Sequence, residues 1–220
     1  MTFKKILKYT ILTSLLIGFC MLIPIGCMVV GIRTVEEAGY TLIEKDNKIE
    51  IREYDELVAV ATWVDEDFKT SGNTAFRRLF NYISGNNKAK DKIAMTAPVI
   101  TNQSKTKDGE KIAMTAPVIS HQSEKGWRFM FVLPASYTLE TAPEPLDERV
   151  KLIKVPQRKM AVIRFSGSWN HDKSKEKIKE LQEWLKANNL KEKSLPNIAG
   201  YDPPFTIPAL RRNEVMIEIQ

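Results

Sequence analysis

Cysteine and histidine are nearly missing from this chain. Two of each occur among 220 residues. Both cysteines, Cys20 and Cys27, lie in an N-terminal apolar stretch. The remainder therefore has no disulfide framework and no thiolate metal site. A cysteine-free domain suits an oxidising or a reducing compartment equally. The two histidines, His121 and His171, stand in polar contexts (SHQSEKG and SWNHDKS) and read as loop histidines, with ligation or acid–base work as the alternative use. The motifs HExxH, GxSxG, GxxxxGK[ST] and GxGxxG do not occur. The serines lack a base partner, and the carboxylates are interleaved with lysines. A nucleophile-plus-base centre is thus not indicated, and the chain reads as a non-enzyme. Basic charge is slight: 33 Lys and Arg against 27 Asp and Glu, net +6. It is not gathered into a block, which argues against nucleic acid as a partner and leaves a weak pull towards anionic lipid.

Charge is also missing from one long segment. Lys4, Lys5 and Lys8 precede an uncharged run from Tyr9 to Ile32. That run is long enough to span a bilayer as a helix. Basic residues before it and Glu36 and Glu37 after it orient the N-terminus inwards and the rest of the chain outwards. Two readings fit. One is an uncleaved signal anchor. The other is a lipoprotein signal in which Gly26 precedes a lipid-accepting Cys27, although Pro24 and the apolar Met28-Val29-Val30 are unusual there. Both give residues 1–35 as a membrane tether or signal and residues 36–220 as an extracytoplasmic domain.

What the domain does contain is a tandem repeat. KIAMTAPVI occurs at Lys92–Ile100 and again at Lys111–Ile119. Pro98 and Pro117 exclude a helix interior and a central ladder position. Two short strands in an antiparallel hairpin, joined by the polar spacer TNQSKTKDGE, are expected.

The surrounding periodicities are strand-like at Ile49–Arg52, Leu57–Val64 and Trp127–Leu133. Ala75, Phe76, Leu79, Phe80 and Ile83 recur at helical spacing, predicting a helix over about 73–84 that stops at Gly85. After a Pro-rich linker at Thr141–Asp147 the pattern returns. Strands are expected at Lys151–Val155 and Met160–Phe165, a helix over about 173–188, and strands at Pro204–Leu210 and Val215–Ile219. Leu57 and Met160 correspond. The fold class is α+β: duplicated strand–strand–helix–strand halves forming a distorted antiparallel β-barrel with two flanking helices.

Met95, Met114, Met130 and Met160 are soft, adaptable side chains, and Phe76 with Phe80 makes an aromatic pair at i, i+4. Such a surface suits a large planar apolar ligand. Core packing is the plainer reading for Met130 and Met160.

Four blocks then carry a resemblance. KIAMTAPV, MAVIRFSG from Met160, YDPPF from Tyr201 with LRRNEV from Leu210, and TLET from Thr138 occur in one order. In these the chain resembles the SOUL haem-binding family over roughly Ala38 to Gln220. The resemblance implies a duplicated, distorted barrel and tetrapyrrole binding in an apolar groove beside the first helix. Carried onto this chain it implicates Phe76, Leu79, Phe80 and Ile83 as the ring-binding face and Arg77 and Arg78 as propionate partners. A histidine that some members use for iron has no counterpart in Ile49–Val64. Tyr54 is the only oxygen ligand there, and His121 the candidate that would swing in as a metal ligand. The expected cofactor is haem and the expected partner a tetrapyrrole. The alternative is another apolar small molecule, or a partner peptide.

Overall fold

The computed structural model describes residues 35–89, 109–123, 126–168, 171–203 and 205–220. The first nonapeptide copy and Cys27 lie outside these residues. Among the described residues, no helix is long and apolar enough to cross a membrane.

Nine strands form one curled antiparallel sheet. They are β1 (Tyr40–Asp46), β2 (Ile49–Tyr54), β3 (Leu57–Val64), β5 (Val118–Ser123), β6 (Gly126–Val132), β8 (Val150–Val155), β9 (Arg158–Phe165), β10 (Asn197–Gly200) and β11 (Asn213–Glu218). Their order is β1-β2-β9-β11-β10-β5-β6-β3-β8. Two short strands, β4 (Asn87–Lys88) and β7 (Glu144–Pro145), pair separately, so the expected linker at 141–147 carries a ladder of its own. Among the described residues the sheet does not close: β1 and β8 are its edges, where a barrel was expected. Two helices, α1 (Phe68–Ile83) and α2 (His171–Ala187), complete the fold.

With β1 set aside, the strand order reads the same from both ends when β2, β3, β5 and β6 are exchanged for β8, β9, β10 and β11. The registers obey the same exchange. Ala59 pairs with Val132, and its counterpart Val162 pairs with Met216. Val118 pairs with Phe131, and Ile198 with Val215. At the centre Ile119 faces Ala199, flanked by Val118–Gly200 and Ser120–Ile198.

Side-chain alternation splits the sheet into two faces. On one face α1 packs on Val60, Phe129 and Phe131, and α2 packs on Ile51, Ile163 and Ile217. On the other face Tyr54, Ala59, Ile119, Met130, Val155, Met160 and Met216 share one cluster. That cluster joins strands from both ends of the sheet, so this is the concave side.

Local chemistry sets the helix ends. Asp67 caps α1 through Thr70, accepting from its backbone N–H at 3.2 Å and its hydroxyl at 2.6 Å. The helix thus begins a turn earlier than the apolar spacing from Ala75 indicates. It stops at Gly85, whose φ of +111° suits a residue without Cβ. The chain returns against this end at Gly109, where a Cβ would lie 1.6 Å from the Gly85 carbonyl oxygen. Ile112 N–H then donates to Ile83 O at 2.8 Å.

One expectation fails. The segment expected as a strand around Phe205–Leu210 ends in a 3-10 turn at Pro208–Leu210, since proline favours the first turn position and cannot donate to a ladder. The C-terminal part of the second nonapeptide copy joins the main sheet. Ala116 bonds with residues 36 and 38, and Val118–Ile119 is laddered on both edges, by β6 and β10. The first copy, and with it the expected hairpin between the two, lies outside the described residues.

Candidate functional site

Helix α1 divides the residues expected at the site into two sets. Leu79 and Ile83 are fully buried in the core beneath the helix. They hold α1 to the sheet and cannot face a ligand. Phe76 and Phe80 are 42% and 45% exposed. Their rings stack at 5.7 Å with only 12° between planes, and Phe76 sets its edge on Phe131 at 5.4 Å. The result is a flat, pre-organised aromatic surface anchored from below. Arg78 is drawn away from it, donating to Trp63 O at 3.1 Å and Thr62 Oγ1 at 3.4 Å. Arg77 is exposed. Met114, exposed in the second nonapeptide copy, follows shortly after the Ile112–Ile83 bond.

The concave face holds a buried ionic cluster that the periodicities did not reveal. Glu214, wholly buried, accepts from Arg52 at 2.9 and 3.1 Å, from Arg212 Nε at 2.9 Å and from the Tyr201 hydroxyl at 2.7 Å. Arg212 also reaches Glu37 at 2.9 Å and lies 3.9 Å over the Tyr201 ring. Burial and the nearby Glu214 push the Tyr54 hydroxyl up to about 12 and Tyr201 well above the ordinary tyrosine value. Tyr54 also accepts from Arg52 at 2.9 Å. A buried phenol so held is unsuited to ligating iron as a phenolate. The one sequence signal for this cluster was the alternation in IEIREY, which sets Arg52 and Tyr54 on one face and Ile49 and Ile51 on the other.

His121 is not on a loop. It sits in β5, in ladder contact with β6 and β10, and shares the face of Ile119, away from both helices. The polar run SHQS is strand because both its edges are laddered. The histidine therefore lies across the sheet from Phe76 and Phe80. Burial, and secondarily Arg128, lower its pKa, partly offset by the Pro196 carbonyl. Among the described residues no group of three His, Cys, Asp or Glu side chains is arranged to hold a metal ion.

A nine-stranded curled antiparallel sheet, two helices on its outer face and an exposed aromatic platform on one of them define the class of this α+β domain. The chain belongs to a specific family of this kind: it matches the SOUL heme-binding protein model over residues 35–110 and again over 102–218. No curated protein sequence matches it significantly. Among solved structures it is similar to the EcmrR C-terminal domain, at 10% identity and a TM-score of 0.54, covering 82% of this chain and 98% of that one. It is also similar to a hydrolase from Listeria innocua, at 11% identity and a TM-score of 0.52, covering 80% and 94%. At these identities the likeness is one of fold alone.

Proposed function

We infer that this chain is a membrane-tethered, non-catalytic haem- or porphyrin-binding protein that lays the ring against the outer face of α1. The observation that carries this is the near-parallel, half-exposed Phe76–Phe80 pair within a SOUL family domain. A planar macrocycle covers both rings without unpacking the core, because Leu79 and Ile83 already fill it. Arg77, exposed one residue from Phe76, is placed to meet a propionate. Bound haem would supply a redox-active, ligand-binding iron, but this chain sets neither His121 nor Tyr54 beside the platform. The ring is held by apolar contact, and the protein serves to buffer or carry it. Two family-model matches and the symmetric registers support descent from a duplicated half. The uncharged run before residue 33 supports tethering, with the domain outside the cytoplasm.

Titration of the full-length chain with haemin and with iron-free protoporphyrin IX tests this. Both should saturate at one per chain with comparable affinity. Phe80→Ala removes aromatic surface worth about 1–2 kcal/mol when covered, or roughly 5- to 30-fold in affinity. Haemin binding that vanishes in His121→Ala and is unchanged in Phe80→Ala would refute the platform.

A further inference from the structure

At the end of the concave face beyond Met130, four buried polar atoms have no hydrogen-bond partner among the described residues: Arg128 Nε, Arg158 Nε, His121 Nδ1 and Asn197 Oδ1. Three of them are neighbours by construction. Asn197, His121 and Arg128 stand directly opposite one another on β10, β5 and β6. Alternation puts all three on the side of Ala199, Ile119 and Met130, the concave cluster. Arg158 joins them from β9, on the side of Met160 and Val162. Trp63, 40% exposed, is the cross-strand partner of Arg128 on β3 and extends the row with an indole.

An unpaired buried guanidinium is costly, and folded proteins rarely keep one without use. Here there are two. Burial lowers the pKa of both, and Arg158 is lowered further by the charge of Arg128, while Glu218 and Tyr54 act the other way. Glu218 does not close on Arg158; its carboxylate is held by Lys193 at 2.6 Å.

The internal symmetry shows what is missing. By the registers above, Arg128 is the counterpart of Arg212, His121 of Tyr201, and Met130 of Glu214. In one half the arginine meets a buried carboxylate; in the other a methionine stands in the carboxylate's place.

We propose that this end of the concave face, bounded by Arg128, Arg158, His121 and Asn197, binds the carboxylate of a small planar organic acid. Arg128 and Arg158 take the anion that no side chain provides, Asn197 and His121 orient it, and Trp63 receives the apolar body. His121, Arg128 and Arg158 are half-buried on the concave side, where a small ligand reaches them.

Calorimetric titration of the full-length chain in nonionic detergent tests this with indole-3-acetate, its neutral analogue indole-3-ethanol, and inorganic phosphate. The acid should saturate one site and bind at least about tenfold more tightly than the alcohol. Arg128→Met and Arg158→Met should each weaken it about tenfold or more without lowering Tm. A merely structural arginine would lower Tm and leave binding alone. Met130→Glu, which copies the other half, should abolish binding and raise Tm. Phe80→Ala, on the opposite face, should leave acid binding unchanged while it weakens haemin, so the two sites fail separately. Absence of saturable binding, or binding indifferent to both arginine substitutions, would overturn the proposal. Phosphate binding as tightly as the acid would overturn the planar-acid assignment.

Discussion

Arg52 of β2 and Glu214 of β11, two strands apart in the sheet, are joined by two hydrogen bonds of 2.9 and 3.1 Å where almost no solvent reaches either side chain. The pair does not stand alone, since Arg212 and Tyr201 hold the same carboxylate. Removing one member of such a cluster strands the others. Glu214→Gln would leave the buried Arg52 and Arg212 with only their outer partners, Glu50 and Glu37. It should destabilise the fold by about 3–5 kcal/mol, read as a lower urea midpoint at unchanged m-value. A loss below about 1 kcal/mol would mean that water or rearrangement replaces the carboxylate.

His121 makes stability depend on pH in a definite direction. Burial holds its folded pKa below the 6.5 of a free imidazole. Above about pH 6.5 both states are neutral there and the group contributes no slope. As pH falls below 6.5 the unfolded chain takes up a proton that the folded chain resists, and stability drops. His121→Gln should flatten the urea midpoint between pH 6.5 and 5, with little change at pH 8. An unaltered slope would show that other groups govern this window.

The N-terminal segment has two outcomes that one substitution separates. If Cys27 is lipidated, Cys27→Ser should abolish acyl labelling and leave a heavier, unprocessed chain. If the segment is an uncleaved anchor, mass and membrane retention should both be unchanged. Release of both proteins into the soluble fraction would refute tethering itself.

Much of the fold was legible because local signals and tertiary context agreed. Leu57–Val64 is a strand in the sequence and in the structure, since a dense β-branched run has no competing periodicity. Both helices follow from 3.6-residue spacing, with α1 starting early because a capping aspartate leaves no trace in an apolar pattern. Tyr40–Asp46 was missed: it is an exposed edge strand, so no buried face imposes alternation on it. At the candidate site, spacing found Phe76 and Phe80 but could not separate them from Leu79 and Ile83. All four are apolar within two turns, and only packing shows which point inwards. The concave clusters were illegible for another reason. A buried Arg128 or Glu214 looks like any surface charge until the strands opposite it are known.

The exchange of outer strands between the two halves reaches beyond binding. β2 lies against β9, and β8 against β3, so each half lends its first strand to the other. Neither half can complete its sheet alone. A chain cut between β6 and β8 would give two fragments, each missing a neighbour that only the other supplies. They would be expected to remain unfolded apart and to recover structure on mixing. The same interlacing makes the decisive pairings long-range, such as Arg52 with Met160. Assembly should then be slow for a domain of this size, and nearly the whole chain must have left the ribosome before the sheet can form.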